Sequence, residues 1–194
     1  MSETRYSWER ARMIAAEIVN ALRPACERIQ IAGSIRREKP DVGDIEILYI
    51  PVMQEEPDPV DLFRSITVSL ADGRIEGMER AGTLEKRLNA KGLQTYGPKN
   101  KLMRHVASGI PVDLFAATRE NWYNYLVCRT GPADLNARIC MAAQRRGWKW
   151  NPYGEGFSDP DGNVRKMDSE SAVFAFVGMP NLEPSRRSEL LGGQ

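Results

Sequence analysis

The chain has 194 residues, and its 27 Lys and Arg against 26 Asp and Glu give a formal net charge of +1 at pH 7. An apolar fraction of 42% and a charged fraction of 27% are ordinary for a folded globular protein and exclude a disordered or low-complexity chain. The near-neutral balance argues against extensive non-specific contact with duplex nucleic acid, while a local basic patch remains compatible with it.

The cysteines and the hydropathy of the sequence indicate the cellular compartment in which we expect the protein. Cys26, Cys128 and Cys140 are odd in number and form no C-x-x-C pair, which favours reduced thiols. No apolar run approaches the ~20 residues of a membrane span, and the first residues are polar. We therefore expect a cytoplasmic monomer with no membrane association.

The first predicted element is an amphipathic helix that Ser7 caps and Pro24 ends. Its apolar residues recur at three- and four-residue steps and predict one buried face. They are Ala11, Ile14, Ala15, Ile18 and Leu22.

A candidate phosphate-binding turn follows a short strand predicted over 28–32. Gly33 and Ser34 allow a tight turn and present backbone N–H groups and a hydroxyl to an anion. Arg36 and Arg37 add charge-assisted donors. The same residue types also occur in ordinary turns, so this segment predicts a phosphate site only in combination with the strand that follows it.

The next segment alternates like a strand that runs on to Val52. Alternation places Asp44 and Glu46 on one face, with Ile45 and Ile47 on the other. Two carboxylates about 6 to 7 Å apart at their Cα atoms repel each other unless a cation lies between them. Hard oxygen ligands suit Mg²⁺ or Mn²⁺. Together with the preceding turn, this strand indicates a metal site beside a phosphate site.

The middle of the chain carries weaker signals. The composition of residues 55–59 predicts a loop, and residues 60–70 are predicted to be helical. Several glycines then give a mixed pattern, within which we predict a short helix over 84–90.

Two further strands are predicted over 102–107 and 110–116, joined as a hairpin. In the second strand Asp113 points to the face opposite Val112 and Leu114. Taken alone, such an aspartate is usually a surface residue.

Beyond residue 118 the pattern becomes mainly helical. Thr130-Gly131-Pro132 precedes a helix predicted over 133–146. Residues 145–150 mix basic and aromatic side chains before a turn, and a short helix is predicted over 168–176.

The combination of Gly33-Ser34, Asp44-x-Glu46 and a later Asp113 resembles the nucleotidyltransferase superfamily. Within it, the resemblance is to the family X DNA polymerases, the polymerase beta-like group. Thr130-Gly131-Pro132 is similar to the T-G-S or T-G-P segment of that family, where the peptide bond after the glycine is cis. A proline at this place lowers the cost of a cis bond to ~0.5 to 1 kcal/mol.

The resemblance implies an α+β fold. Residues 1–118 are expected to form a nucleotidyltransferase palm domain with a mixed β-sheet and flanking helices. Residues 119–194 are expected to form a small, mostly helical C-terminal domain that positions nucleotide and template.

The resemblance also implies a two-metal site. Asp44, Glu46 and Asp113 are expected to hold two Mg²⁺ ions, with Mn²⁺ as a possible substitute, and Asp113 to help deprotonate the nucleophile. A further set is expected to bind the incoming nucleotide: Arg5, Gly33, Ser34, Arg37, Gly43, Thr130, Gly131 and Asn136. Arg138 is expected to face the templating strand. Alternatively, Asn136 and Arg138 are helix-surface residues.

The implied reaction is attack of a DNA 3′-hydroxyl on the α-phosphate of a dNTP, with release of pyrophosphate. The implied partners are a nucleoside triphosphate and primer/template or gapped DNA, as in gap-filling repair. One alternative is transfer of a nucleotide to a small molecule, a protein or an RNA end. Another is a nucleotide- or DNA-binding module without catalytic activity.

The sequence departs from the family pattern in several places. The metal strand carries Glu46 where family X has aspartate, and Cys128 and Arg129 replace the aromatic pair before Thr-Gly, which leaves sugar discrimination open. Pro111 replaces a basic residue that some relatives use on the primer strand. Since we recognise no helix-hairpin-helix motif or amino-terminal lyase domain, we expect a minimal form with only a palm and a C-terminal lobe.

Overall fold

A computed structural model describes residues 4–61 and 63–192. The α-helices are α1 Trp8–Leu22, α2 Gly33–Arg36, α3 Leu70–Arg80, α4 Trp122–Thr130, α5 Ala133–Gln144 and α6 Glu170–Phe176. The strands are β1 Tyr6–Ser7, β2 Cys26–Ile31, β3 Asp41–Val42, β4 Ile45–Pro51, β5 Met53–Pro57, β6 Ser65–Ser69, β7 Leu84–Lys86, β8 Asn100–His105, β9 Pro111–Ala116, β10 Lys149–Trp150, β11 Gly156–Ser158 and β12 Val164–Lys166. Two 3₁₀ helices span Arg23–Ala25 and Pro184–Leu191.

Helix α1 confirms the first sequence prediction. The Ser7 side chain accepts a hydrogen bond from the Arg10 amide, which satisfies one of the free donors at the helix start. The predicted apolar face is buried and packs against the sheet.

A five-stranded mixed sheet organises the amino-terminal part, in the order β2-β4-β9-β8-β7. Strands β4 and β9 are parallel, and the other neighbours in this sheet are antiparallel. One face packs on α1 and α3 through residues such as Ile47 and Leu114. The other face packs on α4 through residues such as Leu48 and Phe115. This face carries the carboxylates, because alternation puts them on the side opposite Ile47 and Leu114.

The carboxyl-terminal part has its own core. Helices α4 to α6 and the three-stranded sheet β10-β11-β12 enclose side chains such as Leu135, Trp150, Phe157 and Phe174. The α+β class and the mixed sheet are therefore confirmed, while a domain boundary at residue 118 stays a prediction.

Two predictions for the middle of the chain are wrong. Residues 53–57 and 65–69 pair as the hairpin β5-β6, where a loop and then a helix were expected. The helix lies later, as α3, because Ser69 caps it and Ala71 and Ile75 are buried beneath it. Burial of that face outweighs the helix-weakening glycines within α3.

The helix predicted over 84–90 is also absent. Residues 84–86 instead form the edge strand β7, paired with His105, Arg104 and Met103 of β8. Tertiary pairing decides the structure of this short segment, and sequence propensity does not reveal it.

The three cysteines are free thiols, in line with the expectation from their spacing. Within residues 4–61 and 63–192 no helix is long and apolar enough to cross a membrane.

Candidate functional site

The structure brings the three predicted carboxylates together on one face of the sheet. Glu46 on β4 lies directly opposite Asp113 on the parallel strand β9, and Asp44 immediately precedes β4. The Glu46 and Asp113 side chains are 19% and 14% exposed. The parallel pairing therefore creates a dense and largely buried patch of carboxylate oxygens.

Burial makes the ionised form of these carboxylates unfavourable. Burial raises the pKa of Glu46 to about 8, and the neighbouring Asp44 and Asp113 add to that rise. Burial also raises the pKa of Asp113, although a hydrogen bond from Arg87 opposes the rise. Like charges held this close favour a cation between them.

Two arginines supply part of the compensating positive charge. The Arg87 guanidinium donates a hydrogen bond to Asp113, and Nη1 of Arg129 lies 3.8 Å from Oε1 of Glu46. In the described ranges, no group of three or more His, Cys, Asp or Glu side chains has the arrangement of a metal site. The oxygen-only donor set nevertheless fits a hard divalent cation, because Asp44 and Asp113 lie close enough to Glu46 to add to the rise of its pKa.

Gly33 allows the candidate phosphate-binding turn to lie against the carboxylates. Its φ of +62° is unfavourable for other residues, and a Cβ there would lie 2.2 Å from Oε2 of Glu46. The turn continues into α2, where Ser34 follows Gly33. Gly43 lies in the bend just before β4, next to Asp44.

Two polar atoms in this turn are available to bind a ligand. Ser34 Oγ and Arg37 Nε are buried and have no hydrogen-bond partner in the part of the chain that the structure describes. Buried polar atoms are almost always paired, so such orphans are typical of a site that a ligand completes. A hydroxyl and a guanidinium beside a carboxylate cluster suit a phosphate group.

We expect Gly33→Ala to destabilise the protein more than Gly109→Ala. Gly109 has a φ of +75° but open space around its Cα, so alanine there meets only the conformational cost of about 1 to 2 kcal/mol. Gly33→Ala must also displace Glu46, which should add at least about 1 kcal/mol. Urea unfolding of both variants measures the difference, and equal losses would contradict the close approach.

The segment Thr130-Gly131-Pro132 ends α4 beside this turn, and its Gly131–Pro132 peptide bond is cis. Thr130 is fully buried, and its Oγ1 accepts a hydrogen bond from Arg36 at 2.7 Å. The Thr130 carbonyl accepts a hydrogen bond from Arg37. The arginines of the turn thus connect the sheet to the carboxyl-terminal part.

A buried ion cluster strengthens this connection, and sequence reasoning missed two of its members. Glu170 accepts hydrogen bonds from Arg36 at 2.6 and 2.9 Å and from Arg187 at 2.9 Å. Burial opposes ionisation, yet these arginines hold the pKa of Glu170 below its usual value. Arg36 and Glu170 are 134 residues apart, so no local signal identifies the pair.

We expect Glu170→Gln to lower the free energy of unfolding by about 2 kcal/mol, because Arg187 is 1% exposed and loses its charged partner. Glu189→Gln is the matched control, since Glu189 pairs with Arg186 on the surface. That exposed pair should contribute less than about 1 kcal/mol. Chemical denaturation tests both variants, and a Glu170→Gln loss no larger than the control would contradict the role of the cluster.

Three other predicted residues have contacts of their own. Nδ2 of Asn136 donates to the Cys128 carbonyl at 2.8 Å, and its Oδ1 is buried without a partner in the described residues. Arg138 donates to the carbonyls of residues 190 and 191, which holds the carboxyl-terminal 3₁₀ helix. Arg5 lies 3.9 Å from Asp41 on the surface. The binding roles expected for Arg5, Asn136 and Arg138 stay predictions.

Arg129 is a further site residue, noticed in the sequence only as a departure from the family pattern. Its guanidinium lies 3.6 Å from the Phe115 ring centroid and within 5.5 Å of those of Tyr125 and Tyr153. Such cation–π packing holds the charge beside Glu46.

Two comparisons relate this chain to known proteins. A family model described as the DNA polymerase beta thumb matches residues 125–188, the segment that contains Thr130, Asn136, Glu170 and Arg187. A solved structure of polymerase beta from Leishmania infantum, a ternary P/T complex, covers 95% of this chain and 77% of its own. The two are 18% identical, with a TM-score of 0.71, which shows a shared fold. No curated protein matches the sequence.

The sequence comparison and the structural comparison both lead to polymerase beta. The thumb match covers the carboxyl-terminal part, and the structural match extends over the sheet that carries the carboxylates. The carboxyl-terminal part of this chain thus matches the DNA polymerase beta thumb, and the chain has a polymerase beta-like fold.

Proposed function

We propose that the protein is a DNA polymerase that adds a dNTP to a DNA 3′-hydroxyl and releases pyrophosphate. One observation carries the proposal: Glu46 and Asp113 lie side by side in parallel register, directly against the turn that contains Gly33. The proposed metal ligands and the proposed phosphate donors thereby share one site, as nucleotidyl transfer requires.

Asp44, Glu46 and Asp113 are the residues proposed to hold two divalent ions, Mg²⁺ or Mn²⁺. When bound, these ions supply charge neutralisation and Lewis acidity at the reacting phosphate and hydroxyl. Asp113 would accept the proton of the 3′-hydroxyl. Arg87 would orient Asp113 through the hydrogen bond already present in the structure.

The remaining residues would position the substrates. Ser34, Arg37 and the Gly43 amide would bind the β- and γ-phosphates, with Arg5 as a more distant donor. The protein backbone around Gly131 and the buried Thr130 would line the sugar. Catalysis would then rest on positioning and on neutralising the charge that develops in the transition state. On the helix α5, Asn136 is proposed for the minor-groove edge of the nascent base pair and Arg138 for the template.

A second candidate is nucleotide transfer to a small molecule, a protein or an RNA end. The near-neutral net charge of +1 favours it, because extensive contact with duplex DNA usually needs a basic surface. The presence of Thr130-Gly131-Pro132 and Asn136 in the carboxyl-terminal part favours the polymerase, and gap-filling repair is the process we propose for it.

Primer extension separates these functions. The protein is incubated with Mg²⁺, dNTPs and a labelled DNA primer, alone, on a template or across a one-nucleotide gap, with a labelled RNA primer in parallel. We expect template-matched extension of the DNA primer, fastest across the gap. Template-independent labelling of RNA would support the second candidate, and labelling of no acceptor by folded protein would contradict both.

A further inference from the structure

A cavity of about 600 Å³ lies behind Arg129, between the sheet and the carboxyl-terminal part. Its volume falls within the ~300 to 1,000 Å³ of typical small-molecule sites. Among the described residues, its lining includes Arg129 but none of the three carboxylates, and neither Ser34 nor Arg37. The cavity is therefore a separate compartment that shares one wall with the candidate active site.

Aromatic rings form one side of this cavity. Tyr125 and Tyr153 meet edge to face, with ring centroids 5.2 Å apart and an interplanar angle of 90°. Tyr125 is buried and its hydroxyl donates to Asn100, so its orientation is fixed. Tyr153 is 55% exposed and presents its ring at the cavity. An exposed ring supported by a buried one is suited to stacking a planar aromatic ligand.

The charged residues that line the cavity leave a positive balance. Lys99 and Arg129 contribute two cations against the single carboxylate of Asp72, although Nη1 of Arg129 also lies 3.8 Å from Oε1 of Glu46. That carboxylate is already paired with Nζ of Lys101 at 2.9 Å, and Lys101 is only 2% exposed. Lys99 is exposed, so its charge can reach a ligand at the cavity mouth. The cavity therefore favours an anionic group.

We propose that this cavity binds one nucleotide unit, with the base stacked on Tyr153 and the phosphate near Lys99. The unit is either a free nucleoside monophosphate or the terminal nucleotide of a single strand. This site would be additional to the triphosphate turn and does not depend on polymerase activity. Since Pro51 and Asn100 come from the sheet side and Tyr153 from the carboxyl-terminal side, a bound nucleotide would contact both parts.

Isothermal titration calorimetry of the full chain tests the proposal, with EDTA present to keep divalent ions from the carboxylates. The titrants are dAMP, 2′-deoxyadenosine and a 5′-phosphorylated oligodeoxyadenylate of four nucleotides. We expect dAMP to bind and the nucleoside to bind at least about tenfold more weakly, because it lacks the anion. Tighter binding of the oligonucleotide than of dAMP would identify the terminal nucleotide of a strand as the ligand, and the reverse would identify the free nucleotide.

Three variants test whether dAMP binds in this cavity. Lys99→Glu and Tyr153→Ala alter exposed side chains and should each weaken dAMP binding about tenfold or more. Ser34→Ala is the matched control in the triphosphate turn and should leave the dissociation constant unchanged. Absence of dAMP binding to the wild type would overturn the proposal. Binding that is insensitive to Lys99→Glu and Tyr153→Ala would overturn it as well, whatever the result for Ser34→Ala.

Discussion

Replacing Asp113 with asparagine should lower the rate of nucleotide incorporation by about 10²- to 10⁴-fold. The substitution removes the proposed proton acceptor and one metal-ligand oxygen while it keeps the size of the side chain. The effect should fall on kcat, with a smaller change in KM for the dNTP, because the proposed phosphate donors on the turn are untouched.

Glu85→Gln provides the matched control for this comparison. Glu85 lies on strand β7 of the same sheet, and its 45% exposed side chain pairs with Arg104 on the surface. Single-turnover extension of a one-nucleotide gap should give near wild-type rates for this control. An Asp113→Asn rate within about threefold of the control would contradict the role of Asp113, since such a loss is far below that of a missing general base.

The stability of the metal-free protein should fall as pH rises from about 5 to about 8, because of Glu46. Its pKa is about 8 in the fold, whereas a glutamate in an unfolded chain has a pKa of about 4.3. Between these values the folded state keeps the proton that the unfolded state releases, so each step up in pH favours unfolding. Below the lower value and above the upper one this contribution is constant.

Glu46→Gln should remove most of this slope and raise the melting temperature of the metal-free protein at pH 8. Thermal unfolding in EDTA from pH 5 to pH 9 measures the effect in the wild type, in Glu46→Gln and in Glu85→Gln as the control. In the wild type, Mg²⁺ should raise the melting temperature more at pH 8 than at pH 5, since the ion binds the ionised carboxylate. Parallel curves for the wild type and Glu46→Gln would contradict an unfavourable buried charge at this position.

Local patterns predicted the elements that place the carboxylates. The alternation was readable beside the carboxylates, because Ile45 and Ile47 in β4 and Val112 and Leu114 in β9 pack into one core. That alternation fixed the side on which Glu46 and Asp113 lie. Their direct adjacency needed the family resemblance, because no local pattern specifies that β4 and β9 are neighbours in parallel register.

The charge compensation around the site was not predictable in this way. Arg87 reaches Asp113 from the position just after β7, and Arg129 reaches Glu46 from the end of α4. Each pairing depends on tertiary packing, and an arginine in a sequence gives no sign of which carboxylate it will meet. The hairpin β5-β6 was missed for a different reason: its composition is turn-like, and all five residues of β5 are exposed, so no buried face marks the strand.

Anomalous diffraction from crystals grown with Mn²⁺ and a non-hydrolysable dNTP analogue tests the central claim most directly. We predict Mn²⁺ peaks about 2.0 to 2.3 Å from carboxylate oxygens of Asp44, Glu46 and Asp113, with the triphosphate on Ser34 and Arg37. Glu46 would then be released from Arg129. Crystals that contain the bound analogue but no Mn²⁺ at these carboxylates, with Arg129 still paired to Glu46, would contradict the proposed metal-dependent transfer.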